Sequence, residues 1–167
     1  MSLPPDAPFI PPSWQSPAPD GTGLEVELFP SVLMLAAGTL FQRNIFRPIL
    51  EPSGIGVAEW RVLLSLNHYG EATAAQIVDR SWMDKAQVSR AALALEERGL
   101  IGRRQDPAHA RRVILSSTRK GEALYARVHA QAQREQARLL ALLEPDERRG
   151  LYLALQKIIR HAQGLAG

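Results

Sequence analysis

Cysteine is absent from this 167-residue chain. Disulfide scaffolds, thiolate zinc sites, iron–sulfur clusters and thiol-based peroxide sensing are therefore excluded. Aromatic residues make up only 6% of the chain, and 20 Lys and Arg stand against 17 Asp and Glu for a net charge of +3. So small a charge names no partner by its sum, only by its distribution. No apolar run approaches the ~18–20 residues that a membrane-spanning helix needs. The N-terminus has no basic start followed by an apolar stretch, so no secretory signal is read, and a cytoplasmic protein without membrane contact is expected. The chain also lacks a GxSxG elbow, a phosphate-cradling glycine loop, an HExxH helix and a dinucleotide fingerprint, which argues against an enzyme. His68, His109, His129 and His161 are scattered with no pair at helical ligand spacing, so neither a metal site nor any other cofactor is expected.

What is abundant is helical periodicity. Seven of the 12 prolines fall in residues 1–23, which read as an extended, flexible arm in which proline forbids helix. Phe9, Ile10 and Trp14 give that arm apolar anchors that can lie on a partner subunit. Residues 25–47 form a helix with two apolar stripes, one through Leu28, Val32 and Leu35 and another through Leu33, Ala36, Ala37, Leu40 and Phe41. Two stripes are more than a surface helix needs, so this helix is expected to be buried against two bodies. Pro48 and Pro52, with Gly54 and Gly56, stop it. A second helix carries Trp60, Leu63, Leu64 and Asn67 on one face and closes at Gly70.

Two short helices follow, over about 73–81 and 84–98, each opened by a cap: Thr73 three residues before Gln76, and Asp84 three before Gln87. Only Trp82-Met83 is left as the turn. After Gly99 the period becomes strand-like, over 100–104 and 111–116, with 105–110 as a loop because Pro107 has no place in a paired strand. Thr118 caps a long helix to about Leu143, Glu144-Pro145-Asp146 breaks it, and a last helix carries Leu151, Leu155, Ile158, Ile159 and Ala162 at i, i+4, i+7, i+8 and i+11. The fold class is mainly α with a small β-wing.

A helix pair on a tight turn followed by a two-stranded hairpin is a winged helix-turn-helix, whose second helix suits the major groove of duplex DNA. The outward residues of that helix fit the task. Lys85 and Arg90 suit phosphates or guanine edges, Gln87 suits adenine, and Ser89 suits either surface. Gln87 faces a conflict, since a side chain that completes the cap is not free to read a base. Residues 98–120 hold seven basic side chains, among them Arg103, Arg104, Arg111 and Arg112, against Asp106 alone. That net +6 on a projecting hairpin and its flanks is the footprint of a polyanion site.

At these residues the chain resembles the MarR family of bacterial transcriptional regulators, over about residues 28–163. The resemblance rests on Glu59-Trp60-Arg61-Val62-Leu63, Val88-Ser89-Arg90, Leu95-Glu96-Glu97-Arg98-Gly99-Leu100-Ile101, Asp106-Pro107 with Arg111, and Thr118-Arg119-Lys120-Gly121. It implies a homodimer in which the first helix and the last two interlock. The helical dimerisation region would then be 24–55 and 118–167, and the winged domain 56–117. It also implies a repressor on a pseudo-palindromic operator, with Arg111 in the minor groove and Ser89 and Arg90 in the major groove. A small acidic or aromatic effector would bind near Phe41, Arg43 and Trp60. One departure stands out: where the family has Asp two residues before the wing arginine, this chain has His109. A protonated imidazole there would favour phosphate, so DNA affinity is expected to rise modestly below about pH 6.5. The rival reading is a dimeric winged-helix interaction protein that has lost DNA binding; binding to arbitrary duplex at low salt discriminates the two.

Overall fold

The structure is a computed structural model that describes residues 10–165, apart from the side chains of Ala110 and Arg111. Pro4, Pro5, Pro8 and Phe9 of the proline arm lie outside the described residues. The chain falls into two compact units, one ending at Pro48 and the other beginning at Ile49.

In the first unit the arm is not wholly extended. Helix α1 (Pro12–Gln15) is a single turn with proline at its start, where no amide donor is required. The Trp14 indole donates to the Leu28 carbonyl at 2.9 Å, and the Gln15 side-chain amide donates to the Ile10 carbonyl at 2.7 Å. The arm is thus tied to the 3₁₀ turn Val26–Leu28. Helix α2 (Pro30–Phe41) then runs through a wide turn, Gln42–Phe46, into α3 (Arg47–Leu50).

Pro48 does not stop this helix as the sequence suggested. Proline at 48 cannot donate to the carbonyl four residues back and crowds it. The turn just before it is widened, with the Arg47 amide reaching five residues back to Gln42. The stop comes instead after the 3₁₀ turn Glu51–Ser53, at Gly54 in the left-handed region (φ 63°). None of the residues of α2 is buried.

The second unit holds the core. Helix α4 (Val57–Tyr69) buries Trp60, Val62, Leu63 and Leu66. A two-residue strand β1 (Ala72–Thr73) leads into α5 (Ala74–Ser81), and α6 (Lys85–Glu97) follows after Trp82, Met83 and the cap Asp84. Strands β2 (Ile101–Asp106) and β3 (His109–Ser117) form an antiparallel hairpin, and β1 pairs with the far side of β3, giving the order β1-β3-β2. The sequence reading missed β1 because two residues carry no readable alternation. It also made the hairpin loop too long. Pro107 and Ala108 alone form the turn, and the Asp106 carboxylate accepts from the Ala108 amide at 2.9 Å, so both strands extend further toward the tip.

Val62, Leu63, Ile77, Val88, Leu95 and Leu100 are almost wholly out of solvent. Each contributes roughly 1.5–3 kcal/mol by burial. Helix α7 (Arg119–Ala141) begins against this core. A methyl group at Gly121 would run into the Leu100 carbonyl oxygen and lie 2.7 Å from Ser117 Oγ, so only glycine lets the helix start so close to the strand. Helix α8 (Pro145–Gly164) follows and buries none of its residues within the chain. Among the described residues no helix is long and apolar enough to cross a membrane.

Candidate nucleic-acid interface

The two caps in the helix pair differ. At Thr73 the exchange is reciprocal: its hydroxyl accepts from the Gln76 amide at 3.3 Å, and the Gln76 side chain accepts from the Thr73 amide at 2.9 Å. At Asp84 only the forward half forms, with the carboxylate accepting from the Gln87 amide at 2.7 Å. The Gln87 side chain is therefore left out of the cap. The conflict posed by the sequence resolves in favour of a free amide.

Val88, Ala91, Ala92 and Leu95 turn inward along α6, as its periodicity requires. Lys85, Gln87, Ser89 and Arg90 are all exposed, and among the described residues none of their side chains has a hydrogen-bond or ion-pair partner. One helix face thus presents two cations, an amide and a hydroxyl, with the positive end of the helix dipole beneath the first turn.

The basic segment behaves otherwise. Arg103 pairs with Glu96 at 2.9 Å, and Arg104 pairs with Glu71 at 2.5 Å. The hydrogen bond from Arg104 to the Glu71 carboxylate, helped by the nearby negative charge, raises the guanidinium above its ordinary pKa. Both arginines tie the hairpin to its neighbours, Arg103 to α6 and Arg104 to the chain just before β1. Arg98 donates to the carbonyls of Ser53, at 2.7 Å, and Gly54, while its own carbonyl accepts from Lys120 at 2.8 Å. Four of the seven basic side chains in 98–120 are therefore spent on the protein itself. Arg112 is exposed and lines an open cavity of about 520 Å³ with Glu71, Gln76, Asp79 and Asp106. Arg111 lies on β3, and its side chain is outside the described residues. His109 is exposed at the hairpin tip, opposite Asp106.

Of the residues named for an effector, Trp60 is 6% exposed and stacks on Tyr125 with ring centroids 5.6 Å apart. Tyr125 in turn stacks on His129 at 5.0 Å, giving a three-ring ladder from α4 along α7. The sequence reading did not find this ladder, although Tyr125 and His129 lie four residues apart on one helix face. Half-buried Phe41 and exposed Arg43, whose Nε donates to Asn44 Oδ1 at 3.1 Å, belong to the unit that ends at Pro48. Among the described residues no three His, Asp or Glu side chains are grouped as metal ligands.

Residues 53–112 match the model of a family described as MarR family. No curated protein matches the sequence. Among solved structures, BpsR of Bordetella bronchiseptica, from work on regulation of its DNA binding by 6-hydroxynicotinic acid, is 24% identical with a TM-score of 0.73, covering 81% of this chain and 96% of its own. A mutant MarR from E. coli complexed with operator DNA is 22% identical with a TM-score of 0.70, covering 79% and 95%. The PcaV transcriptional regulator of Streptomyces coelicolor with its natural ligand is 18% identical with a TM-score of 0.70, covering 83% and 97%. These are likenesses of fold. Together with the family model and the capped helix pair beside its hairpin, they show a winged helix-turn-helix fold in which residues 53–112 are similar to the MarR family.

Proposed function

We propose that the chain is a homodimeric DNA-binding transcriptional regulator, a non-catalytic cytoplasmic repressor on a pseudo-palindromic operator. The observation that carries this reading is the unpartnered polar and basic face of α6, Lys85, Gln87, Ser89 and Arg90, beside a hairpin wing. A protein that spends Arg98, Arg103, Arg104 and Lys120 on its own architecture yet leaves this face without partners holds it ready for another molecule. The spacing and chemistry suit a major groove. Arg111 is assigned to the minor groove and Arg112 to phosphate, while Arg103 and Arg104 set the wing. Two copies are called for because no residue of α2 or α8 is fully buried within the chain and their apolar stripes stay partly open, and twofold symmetry of the protein calls for near-palindromic DNA.

An effector of the aromatic-acid class fits the proposal, since one fold relative is regulated by 6-hydroxynicotinic acid.

Binding to arbitrary duplex DNA tests the core of the reading. Affinity should fall steeply as salt rises, because each neutralised phosphate releases counterion. Arg111→Ala should cost on the order of 1–3 kcal/mol of binding. A dimer that ignores DNA even in dilute buffer would leave the interaction-protein alternative in its place.

A further inference from the structure

Trp82 is unusual in two independent ways. It is the only non-glycine residue among those described with positive φ, at 56°, and its side chain is 71% exposed. The first property carries a steric cost, because a left-handed backbone brings the Cβ too close to the following carbonyl. Helices ordinarily close on glycine at such a position, as the turn Glu51–Ser53 does at Gly54. The second property means that the indole repays none of that cost by packing in the core. Its neighbour Met83 is the turn residue that enters the core, at 6% exposure. A bulky ring held in a strained turn and turned to solvent marks a contact with something outside the chain.

We infer that Trp82 is part of the DNA-binding surface. Its indole face packs on a deoxyribose of the strand bordering the groove that α6 enters, and its N–H donates to a phosphate oxygen. The inference rests on the DNA-binding reading above and adds a residue to it. The placement follows from the backbone. Trp82 stands three residues before Lys85, the first residue of α6, so at most ~10 Å of chain separates it from the helix N-terminus. The major groove is about 12 Å wide, so the first turn of α6 cannot enter it without bringing this turn to the phosphate edge. The surroundings suit a polyanion's border rather than a protein patch. Asp79, Arg80, Asp84 and Lys85, all within three residues of Trp82 in sequence, are exposed, whereas Ser81 and Met83 on either side of it are buried. Arg80 is held over the Tyr69 ring at 5.1 Å and the Asp84 carboxylate is occupied by its cap, which leaves Lys85 on the α6 side and Asp79 on the α5 side as the charges without a partner among the described residues.

Trp82→Gly tests the inference with two readouts of opposite sign. Glycine relieves the backbone, so the melting temperature should hold or rise. Affinity for random-sequence duplexes of about 30 base pairs, long enough for two half-sites, should fall roughly tenfold at fixed salt. Fluorescence gives an independent check in a Trp14→Phe background, where Trp60 is buried and acrylamide reaches Trp82 alone. Added duplex should shield the indole from quencher, and Trp82→Phe should keep part of the affinity. If the unsubstituted protein binds duplex while Trp82→Gly binds equally well and quenching is unchanged, the inference is overturned and the DNA reading survives. If Trp82→Gly instead weakens self-association with DNA affinity per dimer unchanged, the ring covers a second copy and the inference again fails. Failure of the unsubstituted protein to bind duplex at all removes both readings together.

Discussion

Helices α6 and α8 each carry an apolar stripe in sequence, yet they end in opposite states. On α6, Val88 and Leu95 are fully enclosed by α4, α5 and the sheet, and Ala91 and Ala92 are nearly so. On α8, Leu151, Leu155, Ile158 and Ile159 remain between 39% and 44% exposed. The winged part covers its own apolar surface within one chain, whereas α8 offers its stripe outward. Exposed apolar faces on this scale mark association surfaces. The first stripe therefore reports on folding, and the second bears on the proposed dimer.

The largest expected effect would break that contrast if it went wrong. Leu95→Ala should destabilise the protein by about 2–5 kcal/mol at every protein concentration, by chemical denaturation. Ile158→Ala should act only through association, lowering the dimer fraction in sedimentation while leaving the winged segment folded. Equal, concentration-independent losses would mean that α8 is packed within its own chain.

A second contrast separates spent from unspent charge. Arg90→Ala should cost on the order of 1–3 kcal/mol of DNA binding and reduce the salt slope by about one unit if it holds a phosphate. Arg103→Ala, whose guanidinium pairs with Glu96, should leave the slope nearly unchanged. Reversal of the two would move the phosphate contacts from the helix to the wing. Asp84→Ala should cost about 1 kcal/mol of stability through the lost cap. A loss of DNA affinity beyond that stability change would mean that the cap also sets the aim of α6.

Much of the winged segment was legible in the amino acids because its signals are local. The Thr73 and Asp84 caps, the Gly70 and Gly99 closures and the inward set Val88, Ala91, Ala92 and Leu95 each depend on residues within a turn or two of one another. Two local rules gave way to their surroundings. Pro48 is carried through a helix by the widened turn before it, and Pro12 starts a helical turn in an arm that seemed too rich in proline for one. The candidate interface was half legible. The outward face of α6 follows from periodicity, but the partners of Arg98, Arg103 and Arg104 lie between seven and 45 residues away, and a basic run looks alike whether its charges are spent or free.

Within the winged segment, spacing and capping chemistry were enough to specify which stretches become helices, where the hairpin falls and which face of α6 looks out, since all of these are settled between near neighbours. Folding alone settled which cations stay unengaged, which apolar stripe is covered and that Trp82 occupies a left-handed turn with its ring in solvent. Charge pairing and burial depend on groups brought together from distant parts of the chain, and no local pattern of residues encodes who those neighbours will be.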